Sequence, residues 1–279
     1  CILPLKYNLG SLCLKFSKKF FHVKGVDTVQ KSNAYKLLQR WIRLGCPQNF
    51  QTPLLFKACF VYPYFRPLAM NLAIDYGNTF IKGAFFEGTE LREKFQFSDA
   101  LLLKDHLKNK TIKHCIVGSV SKSPDNIFPL INASGNKFSL DVNLPLPIKL
   151  AYETPQTLGV DRIAGVCGAQ EIFPKQDCLV IDAGTCINYE FLDALGTYHG
   201  GSISPGVKMR LEAMHTFTAR LPLASPVQDA ALIGRNTETC LQSGVMNGVI
   251  AEINGIIEKY RMIYPTLQPI LCGGDAHFF

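Results

Sequence analysis

The sequence predicts an α/β protein built from two similar units, each a mixed β-sheet flanked by helices. The same phrase occurs twice, each time at the end of an apolar run, as Asp75-Tyr76-Gly77-Asn78-Thr79 and as Asp182-Ala183-Gly184-Thr185. After each phrase the pattern continues as strand, turn, strand, turn, strand and helix. Because the two aspartates are separated by the length of a small domain, the repeat indicates a duplicated unit.

Short apolar or alternating runs that end at turn residues indicate the strands, and apolar residues at intervals of three and four indicate the helices. Strands are predicted over residues 71–75, 80–87, 90–97, 114–118, 178–182, 186–192, 197–203 and 269–272. Helices are predicted over residues 98–109, 159–172, 206–217 and 238–263. The last helix has the clearest pattern, because its apolar stripe runs from Val245 to Tyr260 and Pro265 follows it as a stop.

The two units divide the chain near residues 173–177. Residues 70–176 are predicted to form the first unit and residues 177–279 the second. The second unit is predicted to be truncated at its C-terminus, because the final strand runs into Gly273-Gly274-Asp275 without the helix that would cover the sheet.

Residues 1–69 differ in composition from the rest of the chain. They contain eleven Lys or Arg residues, no Glu and only Asp27 as an acidic residue, and the first methionine is Met70. They show no clear periodicity apart from a short helical pattern over residues 34–44. We therefore predict a basic extension that is disordered or an artefact of the sequence record. A basic arm that binds nucleic acid or a membrane is the alternative.

The bulk composition excludes several classes of protein. No apolar run reaches the length of a membrane span, so no membrane segment is expected. The net charge of +7 comes from the N-terminal extension, which leaves a mildly acidic body with no predicted nucleic-acid partner. The ten cysteines form no CxxC pair, which favours reduced thiols in a cytoplasmic protein over zinc sites or disulfides.

The first repeat carries residue types that suit a phosphate site. Asp75 ends a strand, and the absent side chain of Gly77 lets backbone N–H groups approach phosphate oxygens. Asn78 and Thr79 add neutral donors, and Lys82 is a candidate counter-charge. One copy alone would favour an ordinary Asx turn in a hairpin, but two copies at domain-like spacing favour a phosphate cradle.

The second repeat is smaller. Asp182 offers a carboxylate that suits a hard cation such as Mg²⁺ or K⁺, and Thr185 could contact a terminal phosphate. Downstream, Gly200-Gly201-Ser202-Ile203-Ser204-Pro205-Gly206 predicts a loop of exposed backbone, followed by a helix whose N-terminus would face an anion. A plain strand-to-helix connection explains this run equally well.

A third motif, Thr157-Leu158-Gly159-Val160-Asp161-Arg162, opens a predicted helix between the repeats. An acid in the first helical turn interacts favourably with the helix dipole, so Asp161 could simply be a capping residue. The functional interpretation makes Asp161 a general base for a substrate hydroxyl and Arg162 a fork that binds a carboxylate or phosphate. The sequence contains neither GxxxxGKS/T nor GxGxxG, which argues against a P-loop or a Rossmann site.

The paired Asp-x-Gly-x-Thr turns resemble the actin and hexokinase nucleotide-binding superfamily, whose fold consists of duplicated ribonuclease-H-like (actin-like ATPase) domains. Within that superfamily the order of motifs is similar to that of type III pantothenate kinases. The motifs are Asp75-Tyr76-Gly77-Asn78-Thr79 with Lys82, Leu158-Gly159-Val160-Asp161-Arg162, Asp182-Ala183-Gly184-Thr185, Gly200-Gly201-Ser202-Ile203-Ser204-Pro205-Gly206 and Gly234-Arg235-Asn236-Thr237. The resemblance covers residues 70–279 and leaves residues 1–69 without a counterpart.

The resemblance implies ATP-dependent phosphorylation of pantothenate to 4'-phosphopantothenate, the first step of coenzyme A biosynthesis. It also implies a homodimer whose substrate site is completed at the subunit interface. ATP with Mg²⁺ and a monovalent cation, K⁺ or NH₄⁺, are the implied cofactors.

The resemblance also implies a role for each motif residue. Those expected to bind ATP are Asp75, Tyr76, Gly77, Asn78, Thr79, Phe80, Ile81, Lys82 and Thr185. Those expected to bind pantothenate are Tyr152, Gly159, Val160, Asp161, Arg162 and Thr237. Asp161 is further expected to accept the hydroxyl proton, and Asp182 to ligate the monovalent cation.

Two other functions fit the predicted fold. A sugar kinase of the same superfamily is one, although the context Gly159-Val160-Asp161-Arg162 weighs against it. A regulatory or accessory protein that has lost catalysis is the other. The joint presence of Asp75, Asp161 and Asp182 favours an active enzyme over that second alternative.

Overall fold

The strands and helices follow one another in the predicted order in the computed structural model, which describes residues 69–279. The strands are β1 (Met70–Tyr76), β2 (Ile81–Glu87), β3 (Glu90–Phe97), β4 (Ile112–Gly118), β5 (Lys137–Ser139), β6 (Lys149–Leu150), β7 (Cys178–Ala183), β8 (Cys186–Leu192), β9 (Thr197–Pro205) and β10 (Gln268–Cys272). The helices are α1 (Ala100–Leu107), α2 (Val160–Ile172), α3 (Val207–Thr216) and α4 (Thr237–Ile263).

Every strand and helix predicted within residues 69–279 is present, with its ends displaced by at most two residues. The short strands β5 and β6 were not predicted, because runs of three and two residues carry no periodic pattern. The basic extension and the helical pattern over residues 34–44 lie outside the described residues.

The strands form two five-stranded sheets with related topologies. The first sheet has the order β3-β2-β1-β4-β5, and the second has the order β10-β7-β8-β9-β6. Strands β1–β3 in the first sheet and β7–β9 in the second each form an antiparallel meander, and the next strand, β4 or β10, pairs in parallel with the first strand of that meander. The predicted mixed sheets are therefore confirmed, and the shared strand order supports a duplication.

Helix α2 packs between the sheets and shares one core with both of them. Its buried face carries Ile163, Val166 and Cys167, each with no exposed surface. The same core contains Ala73 and Ile116 from the first sheet and Val180 and Ile270 from the second. Full burial of a large aliphatic side chain contributes about 1.5–3 kcal/mol, so this core fixes where the first turn of α2 lies.

The division of the chain at residues 176 and 177 stays a prediction. Strand β6 precedes that boundary, yet it pairs in parallel with β9 at the edge of the second sheet. Helix α2 also precedes the boundary and packs on β7 and β8. The chain therefore joins the second sheet before the predicted second unit begins.

Helix α4 covers the outer face of the second sheet together with α3. Asn236 caps its N-terminus, and the side chain of Thr239 completes a capping box. Val245, Val249 and Ile253 are buried along the predicted stripe. Among residues 69–279, no helix has the length and apolar character that are needed to cross a bilayer.

Candidate active site

The first acidic turn joins the C-terminal end of β1 to the start of β2. Asp75 lies directly opposite Lys82 in the antiparallel pairing of these strands. The backbone N–H of Gly77 donates to the carbonyl of Phe80 at 3.1 Å, so this amide closes the turn and is not directed at a ligand. Asn78 and Thr79 are exposed at the tip of the turn. Asn78 and Thr79 therefore offer the exposed polar side chains of this turn to a ligand.

Residues 119–122, which follow β4 and were not predicted to belong to the site, hold this turn through hydrogen bonds. The hydroxyl of Ser119 donates to the carbonyl of Tyr76 at 2.8 Å, and Ser121 Oγ bonds Asn78 Oδ1. Lys122 Nζ donates to the carbonyl of Asn78 at 3.0 Å and lies 4.8 Å from the centre of the Tyr76 ring. The position of this segment, directly after a predicted strand, is a signal for such a role. Strand β4 runs parallel to β1, so the residues that follow each strand lie close together.

The second acidic turn has the same design with two differences. Asp182 lies opposite Asn188, where the first turn has Lys82 opposite its aspartate. Ala183 pairs with Ile187, so the connection is one residue shorter than the first. The backbone N–H of Gly184 donates to the carbonyl of Cys186 at 2.9 Å and is used within the turn. The side chain of Thr185 is exposed at the tip.

Gly273, directly after β10, packs against the end of β7. Its φ of +97° lies in the region that favours glycine. A methyl group at this position would meet the carbonyl oxygen of Ala183 at 2.1 Å and Oδ1 of Asp182 at 2.4 Å. Gly273 is thus in close contact with the second acidic turn.

Asp182 interacts electrostatically with four other charged residues of the site. Burial raises the pKa of Asp182 to about 6, and repulsion from Asp161 raises it further. Lys82 opposes this rise, while Asp75 and Glu190 add to it. The structure therefore brings together residues from both sheets and from α2, and we call these five residues the acidic site.

The acidic site does not form a closed metal cage. Within the part of the chain that the structure describes, no three His, Cys, Asp or Glu side chains converge closely enough to hold a metal ion. Asp182 nevertheless suits a cation ligand, because an ionised carboxylate that other carboxylates repel gains from a nearby positive charge. A hard cation here would take its remaining ligands from water, phosphate or backbone oxygens.

Asp161 lies in the first turn of α2, beside Gly159, which occupies the position just before the helix. The side chain of Asp161 is exposed, so it is available to a ligand. A methyl group on Gly159 would meet Oδ1 of Asp161 at 2.5 Å. The absence of a side chain at Gly159 thus lets the Asp161 carboxylate fold back over the start of the helix.

Arg162 is less available than the sequence predicted. Its Nε donates to Oε1 of Glu190 at 2.6 Å and its Nη2 donates to Oε2 at 2.9 Å. This edge of the guanidinium is therefore occupied and cannot bind a substrate carboxylate as a fork. Nη1 lies 3.5 Å from the hydroxyl of Tyr152, whose ring centre is 5.4 Å from the guanidinium carbon.

Glu190 was missed by the sequence analysis. It is 1% exposed, and its carboxylate also accepts a hydrogen bond from the hydroxyl of Tyr198 at 2.5 Å. Burial raises the pKa of Glu190, while Arg162 and Tyr198 oppose that rise. The available signal was an acidic residue inside an otherwise apolar strand, because a buried charge requires a partner.

Two predicted features have different surroundings from those expected. The run from Gly200 to Pro205 is part of strand β9, so the predicted loop is wrong at these positions, and the strand predicted over residues 197–203 continues to Pro205. Thr237 begins α4 and lines an apolar cavity of about 770 Å³ between α3 and α4, with Met209, Phe217 and Leu241. Among residues 69–279, no hydrogen bond or ion pair joins Thr237 to Asp161 or Arg162.

Four strands of each sheet share one order, and an acidic turn from each sheet contributes to one charged site. These features define a nucleotide-binding protein with the duplicated ribonuclease-H-like (actin-like ATPase) fold. The comparisons with known proteins agree with this class. A family model described as Type III pantothenate kinase matches residues 71–259.

Similar proteins carry the same description. A type III pantothenate kinase of Bacteroides fragilis is 44% identical over 215 residues, which cover 75% of this chain and 88% of that protein. Proteins of the same name from Phocaeicola vulgatus and Flavobacterium johnsoniae are each 41% identical; each match covers 75% of this chain, and 88% and 87% of the respective relatives. The chain belongs to the type III pantothenate kinase family.

The contact of Gly273 with the second acidic turn can be tested with its neighbour as control. We expect Gly273→Ala to reduce the free energy of unfolding by about 1–3 kcal/mol, because the new methyl group meets backbone atoms in a strained conformation. Gly274→Ala should change it by less than about 0.5 kcal/mol, since no atom lies within 4 Å of the added methyl group. Urea unfolding measures both; equal losses would contradict the contact.

Proposed function

We infer that this chain phosphorylates pantothenate with ATP to give 4'-phosphopantothenate, the first step of coenzyme A biosynthesis. Family membership supports the reaction and the substrate. The structural observation that carries the proposal is that Asp161 and charged residues of both acidic turns lie close enough to Asp182 to interact with it electrostatically. Phosphoryl transfer depends on such convergence, because its catalysis consists mainly of positioning and charge neutralisation.

The hairpin from Asp75 to Lys82 is proposed to hold the phosphates of ATP. Asn78 and Thr79 are exposed donors at its tip, and Lys82 supplies a positive charge within reach of Asp182. Thr185 is exposed on the other turn and is proposed to contact the same nucleotide. Mg²⁺ that accompanies ATP neutralises phosphate charge when it is bound.

Asp161 is proposed as the general base. It is exposed at the N-terminus of α2, where it can accept a hydrogen bond from the acceptor hydroxyl. Tyr152, Gly159, Val160 and Arg162 are proposed to line the acceptor site around it. The Nη1 group of Arg162 is the part of that side chain that remains for a ligand, since Glu190 occupies the opposite edge.

Asp182 is proposed to ligate a monovalent cation, K⁺ or NH₄⁺. Its carboxylate is repelled by Asp161 and Asp75, and Lys82 offsets only part of that repulsion. The second hairpin has Asn188 where the first has Lys82, so it lacks a built-in counter-charge. This asymmetry supports a cation at the second turn and phosphates at the first.

A homodimer is proposed to complete the acceptor site. Thr237 lies on an apolar surface between α3 and α4, where Phe217 is 86% exposed. Exposed apolar surface of this kind favours association with another protein surface. A second copy would allow Thr237 of one subunit to reach the acceptor site of the other.

The direct test is ADP release by the full chain with ATP and Mg²⁺. We expect ADP release that depends on pantothenate and increases when K⁺ replaces Na⁺, because K⁺ is the proposed ligand partner of the Asp182 carboxylate. Hexoses and acetate in place of pantothenate should give only the background rate. Release with a hexose would indicate a sugar kinase, and no release with any acceptor would indicate the accessory protein.

Asp161→Asn should abolish phosphorylation while ATP binding stays within about twofold of the unmodified protein. The amide keeps the shape of the side chain but cannot accept the hydroxyl proton; loss of a general base typically costs about 10²–10⁴-fold in kcat. Asp105→Asn is the control, because Asp105 is an exposed carboxylate on α1 that pairs with Lys108. Near-normal turnover of Asp161→Asn would refute the assignment.

Gly159→Ala should lower kcat without a matching loss of stability. The backbone of Gly159, at φ −58° and ψ 133°, is one that alanine adopts, so only the Asp161 carboxylate has to move. Displacement of a catalytic group by about 1 Å can cost on the order of 10²-fold in rate. Kinetic assay and thermal unfolding, with Gly274→Ala as control, separate this effect from misfolding. An unchanged kcat would show that the position of Asp161 does not depend on Gly159.

A further inference from the structure

Glu190 has an unusual environment for a carboxylate in the middle of a strand. It lies on β8 in a fully buried position, and both of its oxygens accept hydrogen bonds from Arg162. The hydroxyl of Tyr198 donates a further bond to Oε2. A buried carboxylate held by three hydrogen-bond donors has a single allowed orientation.

The same contacts fix the guanidinium of Arg162. An arginine has five N–H donors in a rigid plane, and two of them are bound to Glu190. Tyr152 covers another side of the group, and its ring stacks on that of Tyr198 with 6.0 Å between the centres. The side chain of Arg162 is 9% exposed and is held through Nε and Nη2, while Nη1 has only the long contact of 3.5 Å with the hydroxyl of Tyr152.

A role in stability alone explains this pair poorly. Removal of two charges from water costs several kcal/mol per ion, and a buried pair often contributes nothing net compared with apolar side chains. Arg162 follows Asp161 directly in α2, and Glu190 interacts electrostatically with Asp182. Its location at the acidic site points to a role in orientation.

We propose that Glu190 is a positioning residue: it fixes the guanidinium of Arg162 so that Nη1, beside Tyr152, meets a carboxylate or hydroxyl of the acceptor substrate. This inference rests on the proposed function, in which Arg162 lines the acceptor site. Because Glu190 neutralises Arg162, the pair attracts a ligand by its geometry and adds almost no net charge. The rotamer freedom of Arg162 is lost during folding, and none remains to be lost when the acceptor binds.

The kinetic test compares the Michaelis constants for the two substrates. Glu190→Gln should raise KM for pantothenate by roughly 10- to 100-fold, the cost of a small misplacement of a positioning group, while KM for ATP changes by less than about twofold. Tyr198→Phe keeps the ion pair and loses one hydrogen bond, so it should cause a smaller rise in the same constant. A purely structural role would reduce the amount of active enzyme and leave both constants unchanged.

A double substitution tests whether Glu190 acts through Arg162. Arg162→Met alone leaves a buried carboxylate without its partner and is expected to lower the melting temperature strongly. Adding Glu190→Gln removes the unpaired buried charge and should recover much of the lost melting temperature. It should leave KM for pantothenate as high as in Arg162→Met. A further rise of that constant in the double variant would show that Glu190 contacts the acceptor itself, which would overturn the inference.

Glu252 provides a matched control on the opposite side of the same sheet. Its carboxylate also accepts hydrogen bonds from an arginine, Arg210, and from a tyrosine, Tyr189, at 2.5 and 2.9 Å. It lies fifteen residues from Thr237 along α4, or about 22 Å. Glu252→Gln should lower stability less than Glu190→Gln, because the Glu252 side chain is 25% exposed and that of Glu190 is 2% exposed, and it should leave KM for pantothenate unchanged. Equal rises for both variants would overturn the inference.

A measurement without turnover separates this inference from the proposed function. The Nε–H proton of Arg162 in ¹⁵N-labelled protein should exchange slowly with water, and much faster in Glu190→Gln. Fast exchange in the unmodified protein would overturn the positioning role whatever the activity. Slow exchange together with no pantothenate-dependent ADP release would overturn the proposed function and leave the immobilised arginine intact.

Discussion

Repulsion between carboxylates is the constraint on which the candidate site depends. Asp182 is partly buried among Asp75, Asp161 and Glu190, and this environment raises its pKa to about 6. Such a cluster persists only where positive charges and precise backbone contacts hold it. Lys82 and Arg162 supply the charges within the chain, and the remaining imbalance suits a cation or the metal that accompanies a polyphosphate.

The duplicated fold explains how these charges meet. Strands β1 and β7 each carry an aspartate next to their last residue and turn into an antiparallel partner, so each sheet presents one carboxylate at the equivalent position. The copies then diverge at a single paired position, where the first has Lys82 and the second has Asn188. One hairpin is thereby suited to bind anions and the other to bind a cation.

Helix α2 links the packing of the molecule to its chemistry. Its apolar face enters a core shared by both sheets, which leaves little freedom in the position of its first turn. That turn carries Asp161 and Arg162, and Glu190 on the second sheet anchors the arginine. The placement of the proposed base and of its neighbour therefore follows from burial of side chains such as Ile163, which lies one residue further along the helix.

Much of this protein can be predicted from local sequence. Periodicity locates the strands and helices, the repeated Asp-x-Gly phrase reveals the duplication, and the segment around Asp161 identifies the family. These features are local, because each depends on spacings of a few residues along the chain. The distinction between the two repeats is also visible, since Lys82 has no equivalent after the second phrase.

Other features were decided only by the tertiary structure. Glu190 is paired with Arg162, which lies 28 residues away in the chain. Ser119 and Lys122 bond to a turn more than 40 residues earlier. The run from Gly200 to Pro205 fits both the end of a predicted strand and a loop, and its pairing with β8 makes the whole run a strand. The sequence alone determined the elements and the chemical groups; the tertiary structure decided which groups are paired and which remain for a ligand, because pairing depends on contacts between residues distant in the chain.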